Sequence, residues 1–445
     1  MQRLCRSLGA LSVAFVACFA GSASGAIEVV NTQMVAGRLL TSGNLTLSWD
    51  WSWEWVPADA TTATVAVRSW RRGELKSASF SRGQATSVAW ENLVAGDEDD
   101  RLELTLAKGP ALTVRFGIRT VEAKDKRIFL NGQPIFLKGV NRHDQCQEFG
   151  ATTSTSQMVR DLQILKAMNA NFIRGAHYQQ SQRFLDYCDE MGVLVWEESL
   201  GWGNTVEHLK DPEFRRLQKE QTRRMVRTSF NHPSVIVFAF LNENFSYDEA
   251  AKSIVGELVD VVKAEDSGRL VTFAVRYFDK DIANDKTDFI AFNLYPGWIH
   301  GYPPGSPDVL KGKMDDLFSR IVARYRGLYP EKPLFTSEIG TLAIYGARDE
   351  SAAQQSEEFQ AEYVTDAIER VFADPELCGV AIWQFADSRS FNRGGGNTRN
   401  KPMAMNLAGL YDGYRRPKLA TRAVREAFAK PAAGERPWQK GEPKR

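Results

Sequence analysis

Cysteine is scarce in this chain. Of its five cysteines, Cys5 and Cys18 lie in the first two dozen residues, which leaves Cys146, Cys188 and Cys378, with no Cys-x-x-Cys spacing. A dense disulfide framework is thereby excluded, a zinc site is disfavoured, and one disulfide at most can form. Excess charge of one sign is also missing, since 56 Lys and Arg stand against 55 Asp and Glu. That balance gives no electrostatic basis for a nucleic-acid partner. Beyond the N-terminus no apolar run approaches the ~20 residues of a membrane helix, so no membrane span is expected. His143, His177 and the acids near them match no standard ligand spacing, and neither a metal nor another cofactor is expected.

What is present begins with a leader. Arg3 and Arg6 precede an apolar stretch from Leu8 to Ala20 that is too short to span a bilayer, and Ser24-Gly25-Ala26 offers a small-residue cleavage site. Residues 1–26 therefore read as a signal peptide, and the mature protein as periplasmic or secreted. Phe15-Val16-Ala17-Cys18 only weakly matches a lipoprotein box. From residue 27 to about 122, "LTLSWDWSWEWV", "TATVAVRSW", "SVAWENL", "RLELTLA" and "ALTVRFGIRT" alternate apolar and polar positions at short spacing. This pattern predicts a small β-sandwich.

The texture then changes. "PIFLKGVN", "NFIRGAHY", "VLVWEESL", "VIVFAFLNE", "LVTFAV", "DFIAFNLYPGW", "PLFTSEIG" and "CGVAIWQFAD" are apolar runs, most of them followed by an amphipathic helix. The helix after the fifth run is the doubtful one. Strands buried on both faces and alternating with helices mark a parallel sheet. Eight such units over residues 123–430 predict a (β/α)8 TIM barrel, and the Pro- and Lys-rich segment 431–445 reads as a disordered tail.

The site of such a barrel lies at the C-terminal ends of its strands. Those ends carry Asn141, Arg142, His143 and Asp144; Arg174, His177 and Tyr178; Glu197 and Glu198; Asn242 and Glu243. They continue with Asn293, Tyr295 and Trp298; Glu338; and Trp383, Gln384 and Asp387. Glu243 and Glu338 each end an otherwise apolar strand. Two carboxyls in different surroundings divide into an acid and a nucleophile, as a retaining glycosidase requires at a separation of about 5–5.5 Å. Asn242 is placed to donate to the sugar hydroxyl beside the anomeric carbon, Tyr295 to hold the nucleophile ionised, and Trp383 to floor the site. Glu197 and Glu198 are read as a polar pair at a strand end. Arg142, Arg174 and His177 either line the site or pair with those acids.

Residues from about 115 to 429 resemble glycoside hydrolase family 2, above all its β-glucuronidase and β-galactosidase branch. "FGIRTVE" resembles the family's junction between sandwich and barrel, and "FLNGQPIFLKGVNRHD" its first barrel strand. "NFIRGAHY" resembles "IRTSHYP", "NHPSVIVFAFLNEN" resembles "NHPSVVMWSLGNE", and "KPLFTSEIG" resembles "KPIIxTEYG". "FNLYPGW" and "IWQFAD" resemble the sixth and eighth strands. The resemblance implies an immunoglobulin-like sandwich before the barrel, an acid/base at Glu243 and a nucleophile at Glu338.

Two departures follow. Only about ninety residues separate the leader from "FGIRT", so the family's sugar-binding jelly roll is expected to be absent. The Asn-x-Lys with which family glucuronidases read the uronate becomes Asn406-Leu407-Ala408 in "MNLAGLYDGYRRPK", with the cation missing. Upstream, in "SRSFNRGGGNTRNKP", Arg389, Arg393, Arg399 and Lys401 either supply substitute cations or belong to a flexible solvated loop. The sequence reading is thus a retaining exo-acting β-glycosidase for a galactoside-like or other non-glucuronide sugar. A uronidase using substitute cations, an endo-acting polysaccharide hydrolase and a non-catalytic carbohydrate-binding protein are the alternatives. The partner is a carbohydrate, with a homo-oligomer open. Substrate contacts are expected from Asn242, His177, Tyr295, Trp298, Trp383, Arg142 and Asn406.

Overall fold

The computed structural model describes residues 119–297, 307–390, 401, 404–433 and 435, and, before them, residue 117 and seven strands between Glu28 and Phe116. The leader, Trp298, Arg393, Arg399 and most of the expected tail lie outside the described residues. The chain divides into two compact units, one ending at Ile118 and one beginning at Arg119. In the first unit, Glu28–Val30, Ser42–Ser48 and Ser87–Val94 make one antiparallel sheet. Gly73–Ser81, Thr62–Ser69, Leu102–Ala107 and Thr113–Phe116 make a second.

The second unit is a parallel barrel. Its strands are β1 (Leu137–Asn141), β2 (Phe172–Gly175), β3 (Leu194–Glu198), β4 (Val235–Ala239), β5 (Leu270–Thr272 resuming as Ala274–Val275), β6 (Ile290–Asn293), β7 (Leu334–Ile339) and β8 (Leu377–Ile382). Each pairs in parallel with its neighbours, and β1 pairs with β8. The first half of β5 pairs with β4 and the second half with β6, which closes the ring. The helices are α1 (Thr155–Ala167), α2 (Gln182–Met191), α3 (Val206–Lys210), α4 (Pro212–Ser229), α5 (Glu249–Glu265), α6 (Pro307–Leu328), α7 (Glu357–Ala373) and α8 (Leu419–Phe428). No helix forms between β5 and β6, where turns carry the chain. The helix starts follow local chemistry: Ser154 accepts from the Gln157 amide at 3.3 Å, and Asp211 caps α4 ahead of Pro212.

The strands are buried on both faces because each separates two apolar layers. Outward residues such as Val140, Ile173, Val195 and Phe238 pack with Leu162, Leu165, Phe184 and Leu258 of the helices. Inward residues such as Leu137, Phe172, Trp196, Phe289 and Phe335 fill the barrel, and each contributes about 1.5–3 kcal/mol by leaving water. Gly139 is dictated by this filling, since a Cβ there would sit 2.4 Å from the Phe172 carbonyl oxygen and 2.7 Å from its ring. An antiparallel meander of Val121–Lys124, Arg127–Leu130 and Gln133–Ile135 adds Val121 and Ile128 to the inner cluster. The segment Arg119–Glu122, read from sequence as the end of the sandwich, therefore belongs with the barrel.

Candidate active site

The side-chain period of two along a strand decides what enters the barrel mouth. On β2 it turns Phe172 and Arg174 inward. Arg174 is fully buried and distributes its donors over three strands and the segment that follows β4. Nη1 lies 2.5 Å from Glu338 and 2.8 Å from Asn141, Nε 2.7 Å from Glu198, and Nη2 2.8 Å from Asn242. A guanidinium in this setting is tolerated because two carboxylates and two amide oxygens satisfy it.

Glu338, near the end of β7, also accepts from the Tyr295 hydroxyl and lies 3.9 Å from His177 Nε2. Burial pushes its carboxyl above the usual range. Arg174, His177 and the Tyr295 hydrogen bond oppose that rise, while the like charge of Glu243 adds to it. Burial and Glu338 together hold the Tyr295 phenol well above its ordinary value, so it remains a donor.

Glu243 lies in a different setting. The chain leaves β4 through Leu241 and Glu243, both at positive φ (49° and 54°), and the Glu243 amide donates to the Ala274 carbonyl of β5 at 2.9 Å. Its Oε1 accepts from Asn293 Nδ2 at 2.9 Å, and its Oε2 lies 3.4 Å from Arg276 Nη1. Its side chain is 20% exposed, against 4% for Glu338. Asn242 Oδ1 accepts from both Arg174 and Asn293, the latter at 3.1 Å.

An aromatic floor completes the cluster. Trp383 stacks on the His177 ring at 5.4 Å and 17°, and His177 stacks in turn on Trp202 at 6.1 Å. His177 Nδ1 lies 3.1 Å from Glu198 Oε2. Burial, with the charges of His177 and Arg174, drives His143 down to about 3, so its imidazole is neutral in the edge contact it makes with Trp383.

The structure thus brings together Glu243, Glu338, Asn242, His177, Tyr295 and Trp383, and adds Arg174, Glu198, Asn141 and Asn293. Three sequence expectations change. Arg142 follows the inward Asn141 and so points outward, where Asp161, Asp144 and the Phe184 ring enclose it. Glu197 and Glu198 are not a pair: Glu198 turns inward onto Arg174, while Glu197 turns outward and accepts from the Gln180 amide at 2.9 Å. Asn406 lies beside the floor, but its Oδ1 is occupied by the Ala408 amide at 3.2 Å. Ala408 itself is fully buried and packs with Leu407 and Trp383. Under that segment Lys418 Nζ pairs with Asp387 at 2.8 Å and donates to the Leu407 carbonyl.

Lys401, one of the four candidate substitute cations, holds Ser390 Oγ at 2.8 Å, and its charge reaches Glu243 and His143. Burial lowers its ammonium below the usual range while Glu243 raises it. Arg389 is turned away to the Gln147 carbonyl. A possible metal cluster among the described residues, Asp186, Asp189 and His232, lies in the helix layer, where His232 is already held by Asp189 at 2.7 Å and Gln182 at 3.0 Å. No described helix is long and apolar enough to cross a membrane.

A parallel barrel whose mouth holds two carboxyls in unlike environments over a tryptophan floor defines a class of sugar-processing site. The model of "Glycosyl hydrolases family 2, TIM barrel domain" matches residues 121–432, and the chain belongs to that family. The β-glucuronidase of Sus scrofa is 30% identical over 326 residues, which cover 72% of this chain and 47% of that protein. The β-glucuronidase of Homo sapiens is 27% identical over 330 residues, covering 72% and 47%. The chain spans about half the length of these curated relatives. A family 2 β-galacturonidase from Eisenbergiella tayi, solved with galacturonate bound, superposes with a TM-score of 0.73 at 28% identity, covering 87% of this chain and 69% of that one. The β-D-glucuronidase of Dictyoglomus thermophilum shares the fold, with a TM-score of 0.77 at 22% identity over 91% of this chain and 68% of that one. These relatives are glycoside hydrolases.

Proposed function

We propose that the chain is a retaining, exo-acting β-glycosidase and that its substrate is a β-linked hexuronide. The observation that carries the mechanism is the Arg174 network, which sets Glu338 and Glu243 into one mouth with different partners. Glu338 attacks the anomeric carbon as Glu243 gives its proton to the leaving oxygen, so the glycosidic bond breaks as the Glu338 ester forms. Glu243, now a carboxylate, takes a proton from water, which displaces Glu338 and restores both groups. The Asn242 amide donates to the neighbouring hydroxyl, and Trp383 stacks on the ring.

For the glycone, the named relatives support a uronide over the galactoside-like sugar expected from sequence. Lys401 supports it too, since its ammonium is near enough to Glu243 for the two charges to interact, while the family's lysine is missing at Ala408. A neutral hexoside is the second reading, and the buried Ala408 favours it. Secretion through the leader and an immunoglobulin-like packing of the two N-terminal sheets belong to the same proposal.

A panel of 4-nitrophenyl β-glycosides, uronic and neutral, tests it. Expected are turnover of a glucuronide or galacturonide above every neutral glycoside, no detectable turnover by Glu338→Ala, and a loss of roughly 10²–10⁴-fold for Glu243→Gln. Substantial activity of Glu338→Ala would sink the mechanism, and preference for a neutral hexoside would sink the uronide.

A further inference from the structure

The acid Glu243 must touch the leaving oxygen, so whatever borders Glu243 on its solvent side borders the leaving group. Among the described residues two side chains hold the Glu243 carboxyl. Asn293 is buried on the barrel side. Arg276, just past the second half of β5, stands on the other side with its side chain 61% exposed. Among the described residues its guanidinium gives Glu243 one N–H at 3.4 Å, out of five that an arginine carries. An exposed pair of this kind adds little to stability, which is little reason to hold an arginine there.

Aromatic rings continue outward from it. The Arg276 guanidinium lies 5.7 Å from the centre of the Tyr277 ring. Tyr277 meets Tyr247 edge-on at 5.2 Å and Phe245 at 5.5 Å, and Phe245 stacks on Tyr247 at 5.5 Å. Tyr247 is 39% exposed. A planar cation with donors to spare lies beside the half-buried Tyr277, and the exposed Tyr247 ring follows one contact further on, an arrangement that suits a flat or saturated ring carrying a carboxylate.

We infer that Arg276 and Tyr247 form the leaving-group subsite of this enzyme and select a leaving group whose ring bears a carboxylate, as an acidic oligosaccharide presents. The subsite rests on the proposed glycosidase activity, and the natural substrate it implies is a chain of acidic sugars cleaved from one end.

The test uses two aryl β-glycosides of whichever glycone the panel shows to be turned over, one with a 4-(carboxymethyl)phenyl and one with a 4-(carbamoylmethyl)phenyl leaving group. These differ in charge while the phenol's leaving ability is nearly the same. The full-length enzyme is expected to favour the carboxymethyl compound by about tenfold in kcat/KM, the effect of one charge-assisted contact. Arg276→Gln is expected to bring that ratio to about one whatever its absolute rate, and Arg276→Lys to restore part of it. Tyr247→Ala is expected to raise KM for both compounds and leave the ratio alone. A wild-type ratio near one, or a ratio that survives Arg276→Gln, overturns the subsite and leaves the glycosidase reading standing. Failure to cleave any β-glycoside overturns both.

Discussion

Arg174 holds the candidate site together, and its neighbours set how Glu338 titrates. Its charge is offset by Glu338 and Glu198, so removing it leaves two buried carboxylates without their guanidinium, a loss of about 3–5 kcal/mol. Tyr295 offers a gentler probe. Its hydroxyl lowers the Glu338 pKa, while burial, the largest influence, and Glu243 raise it. In the proposed mechanism only ionised Glu338 attacks, so kcat/KM is expected to fall as pH drops through that pKa. Tyr295→Phe removes a lowering influence and pushes the pKa further up, so the acidic limb of the kcat/KM profile is expected to move to higher pH. The limb belongs to the pair of carboxyls, and its direction of movement is the readout. An unmoved limb, or one displaced to lower pH, would refute the role given to Tyr295.

Among the elements, β3 shows best what an apolar run conceals. Its residues read Leu-Val-Trp-Glu-Glu, and both of its faces meet apolar layers. Composition therefore cannot say whether Trp196 looks into the barrel or out to the helices, and with that phase open Glu197 and Glu198 look equivalent. The eight apolar runs and most helices were legible because burial on two faces and the caps Ser154 and Asp211 leave local marks. The strand Gly73–Ser81 left none, since its described residues are mostly exposed and polar, and the missing helix after β5 was already the weakest expectation. The inward turn of Trp196 carries Glu198 to Arg174 and buries Glu197 outside. Burial, opposed by the Ser229 hydroxyl and the Gln180 amide, takes the Glu197 carboxyl from 4.5 up to about 7. A folded pKa raised above the unfolded one means that stability is complete below about 4.5 and is lost as pH rises to about 7. The loss is on the order of 3 kcal/mol. Glu197→Gln keeps the shape without the titration. It is expected to leave the melting temperature nearly unchanged at pH 4.5 and to raise it at pH 8, as thermal denaturation at the two pH values will show. Equal effects at both would mean that folding does not raise the Glu197 pKa.

On the scale of the whole barrel, closure ties together residues that are far apart in sequence. β1 must pair with β8, and the helix that follows β8 must return beneath β1. Lys138 makes that return specific. It faces outward from β1, and its Nζ donates to the Phe428 carbonyl at 3.2 Å and the Lys430 carbonyl at 2.9 Å and pairs with Glu435 at 2.8 Å. The Phe372 ring of α7, which stacks on Phe428 of α8, lies 5.1 Å from the same ammonium. One buried cation thus fixes the end of α8 against the first strand and the seventh helix. Lys138→Met keeps the apolar stem but strands two carbonyls and a carboxylate, a loss of about 1–3 kcal/mol, or roughly 2–6 °C in melting temperature. Without that ammonium α8 loses its polar tie to β1, and it is expected to open first. Limited proteolysis of the variant should therefore cut beyond Leu419 before any other part of the barrel, at temperatures where the Arg174 network still holds and kcat is unchanged. Cleavage spread evenly over the barrel, or a loss of kcat that runs parallel to the loss of α8, would show that the C-terminal helix is an inseparable part of the barrel and not a latch upon it.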